Sequence, residues 1–368
     1  MWIDFPLSPE LQSIPLEDID RAYAGRTMPE ALRMYLAIAR GLPMGTGQDW
    51  FYPGQSRFSW NWLAERHNIA PDAGIPREKF QGDAAWFDRF DRNRDGLITA
   101  EDLDWSEKSS WVQLAYIANR LFRRMDPNGD GRIARDEWVA YFDSVSQGRG
   151  EVNSEQMREA WLAGMSSGYL AGDAPTKEIL LKGFFAGEVG SMQAGPSLNE
   201  PAPDFSLKTV DGQQTIRLSE VMGAKPVVLV FGNFTCGPFR SMFPGVDDVS
   251  RRLQDVVTFL GIYVREAHPA DGWQMRSNDL VGVTASQPKN YAERAAVAGQ
   301  CQRLLRPSIP LLVDDIDDSV GNAYSGMQAR LYVIDKAGRI AYKAGRGPFG
   351  FKTGEMEQAL LMTLLDSR

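Results

Sequence analysis

In FGNFTCGPFR (231–240) a single thiol, Cys236, follows an apolar run that reads as a buried strand and opens the helix after it. A cysteine so placed can serve as a nucleophile, because the free N–H groups and the dipole of a helix N-terminus favour the thiolate. Its pKa is therefore expected below the free value of about 8.5. Pro238 suits the first helical turn, and Arg240 lies one turn on. Phe239 stands where a Cys-Gly-Pro-Cys protein has its resolving thiol, so Cys236 has no local disulfide partner. The second thiol, Cys301, shares the apolar face of a helix with Val297, Ala298 and Leu304, and reads as core.

Two acidic stretches carry a different chemistry. In DPNGDGRIARDE (126–137), Asp126, Asn128 and Asp130 offer side-chain oxygens at positions 1, 3 and 5. Gly131 permits a sharp turn, the carbonyl of Arg132 serves position 7, and Ala134 leaves position 9 to a water. Glu137 closes the loop as a bidentate ligand. This is the EF-hand pattern, and its ion is Ca2+. DRNRDGLITAED (91–102) repeats it with Asp91, Asn93, Asp95, the carbonyl of Leu97, Thr99 and Asp102. Asp102 is one methylene shorter than Glu, and Arg92 and Arg94 lower the local negative charge, so this loop is expected to bind more weakly. Two calcium sites follow, with the 126–137 loop the stronger. The loops are expected side by side, with Ile133 on the short strand between them.

The elements that must hold these groups change character along the chain. MPEALRMYLAIARG (28–41) has helical spacing and stops at Gly41. An aromatic stretch follows with Trp50, Phe51, Tyr52, Phe58, Trp60 and Trp62. Nine of the ten tryptophans precede residue 162, so this half is expected to own an aromatic core. Residues 154–185 read as helical, and GEVGSMQAGPSLNEPAP (187–203) reads as a linker. Then strands and helices alternate. FSLK and TIRL flank Asp211-Gly212; PVVLVFG and VVTFLGIYV are buried strands; RLYVID and RIAYKA form a final hairpin before a closing helix. That is the thioredoxin order with an extra N-terminal hairpin. The expected organisation is a helical, aromatic-rich region over 1–80, an EF-hand pair over 81–145, a helical connector over 146–198 and an α/β thioredoxin-like domain over 199–368.

With 368 residues the chain has room for two or three domains. A net charge of −8 and the lack of a Lys/Arg cluster argue against nucleic acid as a partner. No apolar run approaches the roughly 20 residues of a membrane helix, and MWIDFPLSPE lacks the features of a signal peptide. Two cysteines exclude a disulfide scaffold. A cytoplasmic location is expected. His67 has no second ligand at suitable spacing and reads as a surface or capping residue.

From about Ala202 onward the chain resembles the iodothyronine deiodinase family, thioredoxin-fold selenoenzymes that remove iodine from thyroid hormones. VFGNFTCGPF (230–239), YVREAHPADGW (263–273), VDD (313–315) and RLYVIDKAGRIAYKAGRGP (330–348) carry the resemblance. It implies that Cys236 occupies the position usually held by selenocysteine, the nucleophile that meets the iodine. It also places His268 and Arg346 where the animal enzymes are thought to hold the substrate's amino-acid end. The candidate catalytic set is thus Cys236, Thr235 and His268, and the candidate substrate contacts are His268 and Arg346. Departures accompany the match: sulfur replaces selenium, Phe234 replaces an auxiliary cysteine, and Met327 and Ala329 stand where some animal enzymes have tyrosine and glutamate. Gln328 stands where the family and thioredoxins tend to have proline. A single-thiol reductase is expected, with a small aromatic, anionic substrate and a thiol reductant as partners. A thiol peroxidase, or a non-enzymatic calcium-dependent protein whose N-terminal half binds another protein, are the alternative functions.

Overall fold

The computed structural model describes residues 7–41, 53–163, 165–166, 169–170 and 175–367. Trp50, Phe51 and Tyr52 of the aromatic stretch lie outside the described residues. Helices α1 (Leu16–Ala22) and α2 (Glu30–Ala39) open the chain. The second buries Leu32, Tyr35, Leu36 and Ile38 and ends just before Gly41, whose φ of +65° is a conformation glycine adopts freely. Next come β1 (Gln55–Ser56), α3 (Trp60–Arg66) and β2 (Ile75–Pro76). Ser59 Oγ caps α3 by accepting from Trp62 N. Helix α4 (Ala84–Phe90) leads into the first acidic loop, which contains β3 (Leu97–Ile98). Helices α5 (Ser110–Arg124) and α6 (Arg135–Ser146) flank the second. The stretch expected to be helical to 185 divides into α7 (Ser154–Leu162), a hairpin of β4 (Met165–Ser166) and β5 (Tyr169–Leu170), and α8 (Lys177–Phe185).

The second half follows the sequence closely: β6 (Ser206–Thr209), β7 (Thr215–Arg217), α9 (Leu218–Val221), β8 (Val227–Gly232), α10 (Gly237–Leu253) and β9 (Thr258–Tyr263). Then come α11 (Arg276–Leu280), α12 (Tyr291–Leu305), β10 (Leu311–Val313), α13 (Ser319–Ala323), β11 (Arg330–Ile334), β12 (Ile340–Lys343) and α14 (Thr353–Asp366). The strands form one sheet in the order β1-β12-β11-β8-β9-β10-β6-β7. β8 pairs in parallel with β9, and β9 with β10, while β11 and β12 run antiparallel. All six residues of β8 are buried, as a strand covered on both faces requires. Val228 and Val230 face one apolar cluster, and Val227, Leu229 and Phe231 face the other. A parallel centre with an antiparallel hairpin at its side, and a cysteine at the turn after β8, is the thioredoxin-like arrangement.

The aromatic residues of the first half do not own a separate core. Phe58, Leu63, Trp86, Phe87, Phe90 and Ile98 belong to the same buried cluster as Val230, Phe239 and Leu360 of the sheet domain. α4 packs on α14, and β1 extends the sheet beyond β12. Each such aromatic contributes about 1.5–3 kcal/mol when buried, which a small helical region gains more readily on a ready-made apolar face. A different set, from α1, α2 and α8, forms a smaller cluster against which Trp273 and Phe349 pack.

Candidate active site

The end of β8 and the N-terminus of α10 place Cys236 at the N-cap, fully enclosed at 0% exposure. A web of hydrogen bonds fixes this turn. Asn233 Oδ1 accepts from Cys236 N at 3.0 Å and from Ala267 N at 3.2 Å, while its Nδ2 donates to Gln328 O at 3.0 Å. One side chain thus ties together the thiol turn, the EAHPADGW segment and the loop before β11. The Met327–Gln328 peptide is cis, although Gln328 stands where proline is usual. Thr235 N and Oγ1 both donate to Glu266 Oε2, at 2.9 and 2.8 Å, and His268 N donates to Thr235 Oγ1 at 3.0 Å. Tyr263 OH donates to the other oxygen of Glu266 and accepts from Phe234 N.

This chain of groups is buried and titratable. Burial pushes the Glu266 carboxyl up, against the opposing donors on Tyr263 and Thr235. For Cys236 the outcome corrects the expectation: burial pushes the thiol up to about 11. The N–H of Phe239 and the charge of Arg240 pull the other way but lose to desolvation. Cys301 is buried at 1% exposure, and burial raises its thiol as well. It is a core residue, as its helical position predicts.

His268 and Arg346 are placed differently from the simple expectation. The His268 ring lies edge-on to Trp273, 4.5 Å between centroids, with Nδ1 3.2 Å from Trp273 O. Arg346 is 2% exposed and reaches a carboxylate in the first half of the chain: its Nε and Nη2 lie 3.2 and 2.9 Å from Glu30 Oε1. It also donates to Ser191 O, Gln193 O and Ser325 Oγ. That carboxylate, on Glu30, was not singled out from sequence. Asn233, Tyr263 and Asn278 were not singled out from sequence. For Tyr263 the available signal was its place three residues before Glu266, a motif carboxylate that needs a buried donor.

The two acidic loops share their internal geometry. In the first, Asp91 accepts from the N–H groups of Asp95 and Gly96, and Asp95 accepts from Leu97. In the second, Asp126 accepts from Asp130 and Gly131, and Asp130 accepts from Arg132. Asn93 and Asn128 point their oxygens at the same N–H groups. Asp102 accepts from Arg92 N and from the N–H and hydroxyl of Thr99, while Glu137 accepts from Asn128 and Ala134. Asp126 and Asp130 are 3% and 8% exposed, and burial with the neighbouring Asp130 charge raises the Asp126 carboxyl. Asp91, Asp102, Asp126 and Asp130 are buried, a setting in which an EF-hand loop suits a divalent cation. Among the described residues no three His, Cys, Asp or Glu side chains converge tightly enough to hold an ion by themselves. An EF-hand also draws on Asn and backbone oxygens.

The loops do not pair with each other. Ile98 pairs with Ile75, and Leu97 with Pro76. Ile75 belongs to β2, which follows α3, so the first acidic loop finds its strand partner on its N-terminal side. The second loop docks instead on the thiol helix. Arg240 Nε donates to Gly129 O at 3.3 Å, and its guanidinium continues to Phe234 O and to Asn278 Oδ1 at 2.9 Å. Gly131, at φ +77°, presses on the Arg240 carbonyl and the Pro244 ring, where any side chain would collide. Arg306 reaches Asp130 at 3.3 Å, and Arg132 donates to Leu305 O.

Two family profiles match the chain. The iodothyronine deiodinase family profile matches residues 179–363, and the EF-hand profile matches 83–104 and 118–142. The chain is 32% identical to thyroxine 5-deiodinase of Gallus gallus over 177 residues, covering 48% of this chain and 67% of the relative. It is 29% identical to type II iodothyronine deiodinase of Bos taurus over 220 residues, covering 58% and 78%. Among solved structures, a thioredoxin-family thiol:disulfide interchange protein from Chlorobium tepidum aligns at 18% identity and TM-score 0.32, covering 46% of this chain and 99% of that one. The thioredoxin domain of a thiol-disulfide oxidoreductase from Bacteroides vulgatus aligns at 13% and 0.32, covering 47% and 99%. Among the described residues no helix is long and apolar enough to cross a membrane.

Proposed function

The chain belongs to the iodothyronine deiodinase family, and from that premise we propose that it reductively dehalogenates an anionic aromatic substrate with Cys236 as nucleophile and a small thiol as reductant. The observation that carries the reading is the joining of Cys236, Asn233, Thr235, Glu266 and His268 in one buried hydrogen-bonded turn. In the first step the sulfur of Cys236 bonds to the halogen as the carbon–halogen bond breaks, and the thiol proton passes to the ring carbon. The products are the dehalogenated ring and a sulfenyl halide. A reductant thiol then displaces halide with loss of a proton, giving a mixed disulfide. A second thiol restores Cys236 and leaves as the oxidised reductant.

The surrounding residues have distinct parts in this scheme. Glu266, buried and with its pKa raised by that burial, holds Thr235 and so the turn that carries Cys236. Asn233 fixes the turn so that Cys236 keeps its N-cap position. His268 and Arg346 hold the anionic end of the substrate, Arg through its planar fork. Cys236 has no exposure, so substrate entry requires the site to open.

Calcium, when bound, supplies charge neutralisation to the acidic loops. We assign two sites, Asp91–Asp102 and Asp126–Glu137, with the second the stronger because Glu137 is the longer carboxylate. Anaerobic incubation with a panel of haloaromatic acids and dithiothreitol, with halide release as the readout, tests the reading. Release that depends on Cys236 supports it; peroxide consumption without halide release rejects it.

A further inference from the structure

Arg346 sits in a cation-rich, closed end of the sheet. Arg330 and Lys343, 4% and 8% exposed, flank it on β11 and β12 and donate to the carbonyls of Ala344 and Gly195. Against these cations stands Glu30, the first residue of α2, bonded through one carboxylate oxygen to two nitrogens of Arg346. Glu30 lies 316 residues away in sequence, and its side chain is 12% exposed. It therefore occupies the place that the carboxylate of an anionic ligand would take on the guanidinium.

The element that carries Glu30 is a cap. α2 packs on α8, and this helical cluster covers Trp273, the ring against His268, and Phe349, three residues after Arg346. The connector after α8 completes the cover. Glu188 accepts from Trp273 N at 2.9 Å, and Ser191 and Gln193 accept from Arg346. Glu30 thus meets Arg346 beside the same helical cluster that packs on Trp273 and Phe349. A buried guanidinium stripped of its anion is strongly disfavoured, so Arg346 exchanges one carboxylate for another rather than standing empty.

We propose that Glu30 is a built-in competitor for the anion position of Arg346, so that an anionic substrate binds by displacing Glu30 and lifting the α2 cap. The inference rests on the reading of Arg346 as a substrate contact. It makes Glu30 a specificity-determining residue: it penalises anionic ligands and leaves neutral ones of the same shape unaffected.

The test is titration calorimetry on the full chain with 4-phenoxybenzoate and its neutral counterpart 4-phenoxybenzamide, which carry no halogen to react. Glu30→Gln is expected to tighten 4-phenoxybenzoate about tenfold, as removal of one competing charge-assisted contact implies. Binding of 4-phenoxybenzamide should stay within about twofold, and Arg346→Ala should abolish the gain. Hydrogen exchange over 30–39 should rise when 4-phenoxybenzoate binds the unmodified chain. If Arg346→Ala weakens 4-phenoxybenzoate but Glu30→Gln changes nothing, the competitor role is overturned while the clamp stands. If Arg346→Ala has no effect on either ligand, the clamp itself fails and the inference with it. Glu30→Asp, which keeps the charge on a shorter arm, should fall between, and its melting curve controls for loss of fold.

Discussion

Cys236 and Cys301 are both free, both enclosed, and both members of one apolar cluster, yet they sit in different chemistry. Cys301 lies in the middle of α12, where its backbone is consumed by helical bonds. Cys236 caps α10, with its own N–H on Asn233 and its neighbour Thr235 bound to a buried carboxyl. Burial raises both thiols, so burial does not distinguish them. The polar network does. The helix N-terminus that made Cys236 look reactive in the sequence is present, and desolvation outweighs it in the closed state.

Removing each sulfur breaks the comparison most severely. Cys236→Ser should lower halide release by about a thousandfold or more, the scale of losing an essential nucleophile. Cys301→Ser should leave turnover within about twofold but cost roughly 1–3 kcal/mol in a denaturant melt, for a hydroxyl placed in an apolar core. Equal activity losses would erase the distinction between the two thiols.

A pH series sharpens it. With its pKa raised to about 11, Cys236 is protonated at neutral pH, so its alkylation by iodoacetamide should climb about tenfold per pH unit toward pH 10. A plateau reached near pH 8 would show that opening of the site, or the helix dipole, lowers the pKa well below its closed value.

The substrate end gives a smaller effect. Arg346→Ala should raise KM for an anionic haloaromatic by one to two orders of magnitude, about 1.5–3 kcal/mol for a charge-assisted contact. Turnover of a neutral analogue should hold. Loss on both substrates alike would mark Arg346 as a staple for the 191–193 connector, to which it is also bonded.

The smallest shifts come from the loops. Calcium should raise the melting temperature by mass action, and Glu137→Gln should remove most of that rise. Asp102 is 2% exposed and bonded to Arg92 and Thr99, while its carbonyl accepts from Gln358 on α14. Asp102→Asn should therefore destabilise by about 1–2 kcal/mol even without calcium. Equal behaviour of the two variants would show that the loops are equivalent.

Much of this molecule was legible in its residues. The runs PVVLVFG and VVTFLGIYV, the Asp211-Gly212 hairpin and the closing RLYVID and RIAYKA hairpin gave the centre of the sheet but not its edge strand β1, because buried β-rich runs bounded by turn residues leave few alternatives. Both acidic loops were readable as EF-hands, because the motif fixes a residue type position by position, and the family profile matches both segments. What the sequence hid was long-range partnership. Nothing local in Ile75 says that it pairs with Ile98 ahead of Ile133, and nothing in Glu30 says that it reaches Arg346. The pKa of Cys236 was misjudged for a related reason: local context reports the helix terminus, whereas desolvation is summed over segments distant in sequence.

The most direct test of Cys236 as the sole working thiol is a single-turnover trap. The full chain is incubated anaerobically with one equivalent of a haloaromatic acid and one equivalent of glutathione, quenched in acid, and mapped by peptide mass spectrometry. The account predicts one halide released and glutathione joined to Cys236 as a mixed disulfide, with Cys301 unmodified. A Cys236–Cys301 disulfide, or glutathione on Cys301, would contradict it.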